Sequence, residues 1–332
     1  MKIAIVTDAW HPQVNGVVRT LTHLTTELRA MGHDVLVISP DLFASIACPG
    51  YAEIRLAYRV GSKVARMLDA FAPDAVHIST EGPLGIKGRR YCLRRKLPFT
   101  TAFHTRFPEY LKAQYGVPEA LTYAVLRRFH GPSRCIMVPT PSMQAELESH
   151  GFKRVRQWTR GVDTELFKPR EKAFLDLPRP IFINVGRVSV EKNIEAFLSL
   201  DLPGTKVVVG DGPAMQSMQA RFKQAVFVGA KKGEDLARHY AAADVFVFPS
   251  KTDTFGLVVL EALSSGVPVA AYPVTGPKDI IESDDLGALD DDLQTAALQA
   301  LKLDGARCRE FALTKSWRKC AEQFYQNLHR IA

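Results

Sequence analysis

The 332-residue chain lacks Gly-x-Gly-x-x-Gly after its first apolar run, Ile3-Ala-Ile-Val6, where a dinucleotide-binding domain would carry it. Its five cysteines, Cys48, Cys92, Cys135, Cys308 and Cys320, include no Cys-x-x-Cys pair. Neither a disulfide framework nor a zinc site follows, and a reducing cytosol fits best. No apolar run approaches the length needed to span a bilayer. Met1-Lys-Ile-Ala-Ile-Val6 meets Asp8 at once and reads as a first core strand rather than a signal peptide. Repeats, low-complexity tracts and paired acids at metal-ligand spacing are missing too, and no recognition-helix, RNP or zinc-finger pattern points to nucleic acid.

What is present is an ordinary globular composition, 46% hydrophobic and 23% charged, over a length that suits two domains. Apolar runs alternate with helical patterns twice, which predicts a doubly wound α/β fold. Strands are expected near Lys2–Thr7, Asp34–Ile38, Ala75–Ile78, Phe99–Phe103, Cys135–Val138 and Val155–Trp158. A second set is expected near Ile181–Val185, Lys206–Val209, Ala225–Val228, Val245–Phe248 and Val267–Ala271. Between the sets, Gly161–Pro180 carries Pro169, Pro178 and Pro180 and reads as an exposed linker. Trp317, Cys320, Phe324 and Leu328 recur at helical spacing in a final amphipathic helix.

The most informative stretch is Ser250-Lys-Thr-Asp253-Thr-Phe-Gly256-Leu-Val-Val-Leu-Glu261. A buried strand, Val245–Phe248, runs into a loop and then a helix opening at Phe255. The amides of Phe255, Gly256 and Leu257 are thereby left to meet an anion such as a diphosphate. Asp253 stands ahead of the helix to accept from sugar hydroxyls, and Glu261, about two turns in, is placed to reach a ribose. Taken alone, an acid before a helix is usually a cap and a helical Glu is usually at the surface. A second segment changes the balance: Ile181-Phe-Ile-Asn-Val185-Gly186-Arg187 ends a strand with Lys192 close behind, putting two cations where α/β sheets bind ligands. A salt bridge of purely structural use is the weaker alternative for these cations.

Val185-Gly-Arg187 with Lys192, Gly210-Asp211-Gly-Pro213, Asp253 through Glu261 and Gly266-Val-Pro268 together resemble retaining glycosyltransferase family 4 (glycosyl transferases group 1), within it the bacterial lipid glycosyltransferases and GDP-mannose-dependent mannosyltransferases. Asp8-Ala-Trp-His-Pro-Gln-Val-Asn15-Gly16-Val-Val-Arg-Thr20, Phe103-His104-Thr105 and Arg160-Gly-Val-Asp-Thr-Glu-Leu-Phe-Lys-Pro169 extend the likeness along the chain. One departure is Asp253, where many members carry Glu. The resemblance implies a GT-B architecture, two Rossmann-like domains facing across a cleft. Residues 1–165 would hold the acceptor, 175–315 the donor, and a helix at 316–332 would return to the first domain. It further implies hexosyl transfer from a nucleoside diphosphate sugar with retained configuration. Arg187, Lys192, the Gly16 amide and the amides near Gly256 would meet the diphosphate; His104 would face the donor sugar and Asp253 would position it. Gly186, Asp211, Gly229, Thr254, Phe255, Leu257 and Glu261 complete the donor set. With cations already available, no cofactor and no bound metal are expected. Uridine and guanosine donors both remain open.

The net charge of +8 lies wholly in the first half: residues 1–165 hold 22 Lys and Arg against 14 Asp and Glu, while residues 166–332 hold 21 of each. Arg89, Arg90, Arg94 and Arg95, with Lys87 and Lys96, cluster on one expected helix, and Arg127, Arg128 and Arg134 continue the patch. Anionic lipid headgroups suit it, although a solvated basic face is the plain competitor. A cytoplasmic enzyme, peripheral on the inner face of the cell membrane, with a lipid acceptor such as diacylglycerol follows as the expectation. Phosphatidylinositol or a soluble saccharide stays open as acceptor, with Asn15 and Arg106 as further candidates on the acceptor side.

Overall fold

The computed structural model describes residues 1–13, 15–48, 51–60 and 62–331, with the backbone alone at 48, 51–54, 110 and 113–115. Val14 of the Asp8–Thr20 motif and the side chain of Cys48 therefore lie outside the described residues. The chain divides into two units, Met1–Arg160 with Trp317–Ala332, and Gly161–Ser316.

In the first unit β1 (Lys2–Val6), β2 (Asp34–Ile38), β5 (Ala75–Ile78), β6 (Thr100–Ala102), β7 (Cys135–Val138) and β8 (Val155–Gln157) form a parallel sheet in the order β2-β1-β5-β6-β7-β8. An antiparallel pair, β3 (Ser45–Cys48) and β4 (Tyr51–Ala57), stands apart from it and was not expected from the sequence. In the second unit β9 (Ile181–Val185), β10 (Thr205–Val209), β11 (Val226–Gly229), β12 (Val245–Phe248), β13 (Val269–Ala271) and β14 (Gly287–Leu289) run parallel in the order β11-β10-β9-β12-β13-β14. Strands of such sheets are buried on both faces, which explains why β9 and β12 are apolar almost throughout. Side chains alternate between two cores. Ile181, Ile183 and Val185 pack with Leu260 and Leu263 of helix Leu257–Ser264, whereas Phe182 packs with Phe197 and with Ala296 and Ala297 on the opposite face.

One expectation needs correction. Residues 161–180 are not a free-standing linker: they belong to the second unit, where Val162 and Phe167 are buried in its core. The last helix runs Trp317–Asn327 and is part of the first unit, stacking Trp317 on His23 at 4.6 Å and setting Phe324 edge-on to His77 at 4.8 Å.

His77, fully buried on β5, bonds Thr100 Oγ1 through Nδ1 at 2.8 Å. Burial, with Arg160 nearby, pushes its pKa down to about 3. The folded value lies below the unfolded one, so between them the unfolded chain binds the extra proton. The stability contributed by neutral His77 is complete above about pH 6.5 and falls as pH drops toward 3. Urea unfolding at pH 5 should show up to about 2 kcal/mol less stability than at pH 7 from this residue, and His77→Asn should flatten that slope.

Candidate active site

Every strand of each main sheet is parallel, so all carboxyl ends share one edge. In the second unit that edge gathers Gly229 at the end of β11, Asp211 after β10, Gly186 and Arg187 after β9, and Asp253 to Leu257 after β12. The order reverses between β9 and β12, the switch point at which such sheets open to ligands. There the two loops are tied together: Asn193 Nδ2 donates to the Pro249 carbonyl at 3.1 Å, and Thr252 Oγ1 to the Glu191 carbonyl at 3.3 Å. Lys192 Nζ lies 2.5 Å from Asp253 Oδ1, the two side chains 31% and 21% exposed.

The sequence put Lys192 and Asp253 on different parts of a ligand; without one they pair with each other. Facing strand ends bring the opposite charges together, and each neutralises the other. Asp253 Oδ2 remains buried without a hydrogen-bond partner among the described residues, as do the hydroxyls of Ser189 and Ser250 on the same two loops. Ser189 is 4% exposed and Ser250 2%. A buried polar group left unbonded costs on the order of 1–3 kcal/mol, so these three atoms on two adjoining loops call for polar partners that the described residues do not supply. Sequence reasoning missed both serines, whose only signal is their position directly after apolar strands.

The helix after this loop starts one residue later than Gly256, which is its N-cap with φ 92°. Gly276 packs beneath: a Cβ there would stand 2.6 Å from the Phe255 carbonyl oxygen. This third missed residue fixes the loop carrying Asp253, and its sequence signal is Gly-Pro at a helix start. Thr254 and Leu257 are half-buried and Phe255 is buried in the unit's core. Asp211 is exposed and accepts from the Gly212 amide at 2.7 Å; the Gly229 carbonyl accepts from the Gly210 amide at 2.9 Å.

Glu261 is 2% exposed and accepts from the Tyr240 hydroxyl at 3.0 Å. It is a buried, bonded acid rather than the surface Glu its helical position alone suggests. Glu261→Ala should weaken nucleoside diphosphate binding about tenfold by calorimetry, the worth of one hydrogen bond, and also lower Tm by stranding the Tyr240 hydroxyl. Tyr240→Phe, which keeps the carboxylate, should retain the affinity; unchanged affinity in Glu261→Ala contradicts a ribose contact.

The corresponding edge of the first unit is built differently. Its order reverses between β1 and β5, and there Asp8 fills the opening. The Leu84 and Gly85 amides donate to the Asp8 carboxylate at 2.8 and 3.2 Å, and Thr80 Oγ1 donates at 2.8 Å. A Cβ on Gly82 would lie 2.4 Å from the Asp8 carboxyl carbon. Burial pushes the Asp8 pKa up, against those hydrogen bonds. The chain's own acid thus occupies the helix N-terminus that an external anion would use. Asn15 Oδ1 accepts from the Val17 and Val18 amides at 3.0 Å, capping helix Gly16–Ala30.

Arg106 pairs with Glu146 at 2.6 Å and Glu109 at 3.7 Å. Of the four patch arginines, Arg89 bonds the Phe129 and Arg128 carbonyls, and Arg95 pairs with Asp69 at 2.9 Å. Arg90 and Arg94 are exposed on helix Pro83–Arg95. His104 follows β6, half-buried, with Nδ1 3.2 Å from Arg160 Nη2.

The chain matches the model of Glycosyltransferase Family 4 over residues 14–166 and that of Glycosyl transferases group 1 over residues 179–303. It is 33% identical over 316 residues to the GDP-mannose-dependent alpha-mannosyltransferase of Mycobacterium tuberculosis, spanning 87% of this chain and 83% of that protein. To the alpha-monoglucosyldiacylglycerol synthase of Streptococcus pneumoniae it is 26% identical, spanning the whole chain and 85% of the relative. The protein belongs to glycosyltransferase family 4. Among solved structures, the sucrose-phosphate synthase of Thermosynechococcus elongatus superposes with a TM-score of 0.76 at 23% identity, over 98% of this chain and 97% of that one. Anabaena HepE in complex with UDP and glucose gives 0.71 at 16% identity, over 98% of each. These likenesses establish the GT-B fold.

Proposed function

We propose that the protein transfers a hexosyl group from a nucleoside diphosphate sugar to a membrane lipid such as diacylglycerol, with retained configuration and without a metal ion. The observation that carries the donor side is the contrast between the two sheets: one switch point is filled by Asp8, while the other carries the Lys192–Asp253 pair with no such group, among the described residues, on the helix N-terminus. On diphosphate binding, Lys192 exchanges Asp253 for a phosphate and Asp253 is released to the sugar hydroxyls. As the glycosidic bond breaks, negative charge grows on the leaving diphosphate. Arg187, Lys192 and the first amides of helix Leu257–Ser264 stabilise it more in the transition state than in the ground state. The leaving phosphate then takes the acceptor's proton on the same face, and His104 contacts the transferred sugar.

The acceptor side rests on the named relatives, among them the monoglucosyldiacylglycerol synthase, and on the surface of the first unit. Helix Pro83–Arg95 exposes Ile86 (52%) and Leu93 (41%) beside Arg90 and Arg94; helix Glu119–His130 exposes Leu121 (59%) and Val125 (61%) with Arg128 on the same stripe. Apolar side chains among arginines fit an anionic bilayer surface. No described helix is long and apolar enough to cross a membrane. The relatives include GDP-mannose-dependent mannosyltransferases, so GDP-mannose is tested beside UDP-glucose and UDP-glucuronate, and phosphatidylinositol and soluble saccharides beside diacylglycerol.

A donor screen with a membrane lipid extract tests transfer directly: labelled sugar in the lipid phase supports the proposal, and labelled sugar on soluble acceptors alone contradicts it. In flotation assays the protein should bind vesicles rich in phosphatidylglycerol, and Arg90→Glu with Arg94→Glu should lower the bound fraction several-fold. Binding indifferent to anionic lipid counts against the membrane reading.

A further inference from the structure

The buried guanidinium of Arg160 has no part in the chemistry above. It is 5% exposed, and its neighbours are carbonyls and rings. Nη1 donates to the Trp158 and Thr159 carbonyls, the Cζ lies 4.4 Å from the centre of the Trp158 ring, and Nη2 lies 3.2 Å from His104 Nδ1. Burial brings its pKa down to about 10, so it stays charged near neutral pH. A guanidinium has only donors. The 3.2 Å contact is therefore a hydrogen bond only if Nδ1 of His104 is the bare, accepting nitrogen, and a proton placed there would meet an N–H of like charge. Trp158 also packs edge-on to the imidazole, with centroids 5.6 Å apart.

We propose that Arg160 is a positioning residue that locks His104 in the neutral tautomer protonated at Nε2, so that His104 acts as a fixed hydrogen-bond donor and never as a general acid or base. This rests on the reading that His104 contacts the transferred sugar. His77 on β5 and His130 at the end of helix Glu119–His130 are the other titratable groups acting on His104, and with Arg160 and burial they hold its pKa well below the ordinary value. Glu81 is engaged by His130 Nε2 at 3.1 Å.

The last helix completes the device. Gln323 Oε1 accepts from the Thr159 amide at 2.7 Å, Cys320 Sγ donates to the Thr159 carbonyl at 3.1 Å, and Asn327 Nδ2 donates to the Gln157 carbonyl at 2.8 Å. The segment 157–160 that delivers Arg160 is thus pinned along its length by helix Trp317–Asn327.

The test is a two-bond 1H–15N correlation spectrum of the histidine side chains in the full-length 15N-labelled protein, from pH 5 to 8, with the His104 signals assigned by loss in His104→Gln. The wild-type pattern is expected to be that of a pure Nε2–H tautomer that does not titrate over this range. Arg160→Met should give mixed tautomers and a His104 that titrates nearer 6.5, with kcat down about tenfold, the worth of one misdirected hydrogen bond, and KM for the donor little changed. Arg160→Lys, which still donates, should restore the pure tautomer. A wild-type His104 that titrates between pH 5 and 8, or that carries its proton on Nδ1, overturns the proposal, and this spectrum decides even if Arg160→Met does not fold. A locked tautomer in a protein whose His104→Gln variant turns over at the wild-type rate instead overturns the sugar contact on which the role depends.

Discussion

Replacing Lys192 with alanine should lower kcat by about a hundredfold or more with every donor the enzyme accepts, because on the proposed mechanism it removes a cation that meets the developing diphosphate charge. The fold should be untouched. The Lys192–Asp253 pair is partly exposed, and ion pairs of that kind contribute about 0–1 kcal/mol to stability, so Tm should move by no more than a few degrees. The loss should be specific to the diphosphate: affinity for a nucleoside diphosphate should drop while affinity for the nucleoside alone should hold. Steady-state turnover and calorimetry on the same preparation measure both. A Lys192→Ala enzyme with wild-type turnover of each donor removes this lysine from the site.

Gly210→Ala should act through the backbone instead. Gly210 has φ 150°, and a Cβ there would stand 1.7 Å from the Gly186 carbonyl oxygen, a contact no side-chain rotation relieves. The loops after β9 and β10 must then separate, although the Gly186 amide bonds the Val209 carbonyl at 3.0 Å and the Val188 amide bonds the Asp211 carbonyl at 2.9 Å. A cost of several kcal/mol, or roughly 10 °C in Tm, is expected, with loss of nucleotide binding because Arg187 and Ser189 leave their places. Gly229→Ala is the control. Its φ is 73° but nothing lies within 4 Å of the added carbon, so it should cost only about 1 kcal/mol of backbone strain. Thermal unfolding of the two variants side by side separates crowding from strain.

How far the sequence carries can be judged from particular residues. Apolar runs such as Ile181–Val185 and Val245–Phe248 are read correctly because a strand buried on both faces needs an unbroken apolar segment. Gly287–Leu289 escaped because Gly-Ala-Leu is too short to carry a period, and the β3–β4 pair because its alternation is weak. The residues at the carboxyl edge of the second unit's sheet were legible as types at strand ends, but their relations were not. Lys192 and Asp253 are 61 positions apart, and only the strand order makes them neighbours. Ser189 and Ser250 give no sequence signal of being left unbonded, since that depends on what the fold fails to bring near them. Arg106 and Arg89 show the converse: a basic residue at a promising position was matched by a partner, Glu146 in one case and two backbone carbonyls in the other, that no local pattern announces. Asp8, read only as part of a motif, proved to be the group that closes the first sheet's ligand position.

The central claim is that the second unit's sheet, at the β9–β12 reversal, holds the donor's diphosphate. A crystal structure with uridine or guanosine diphosphate bound tests it most directly. The predicted result places the phosphates within hydrogen-bond distance of Lys192 and the first amides of helix Leu257–Ser264, with Lys192 drawn away from Asp253. Phosphates bound beside Asp8 in the first unit, or a nucleotide bound while the Lys192–Asp253 pair stays closed, contradict it.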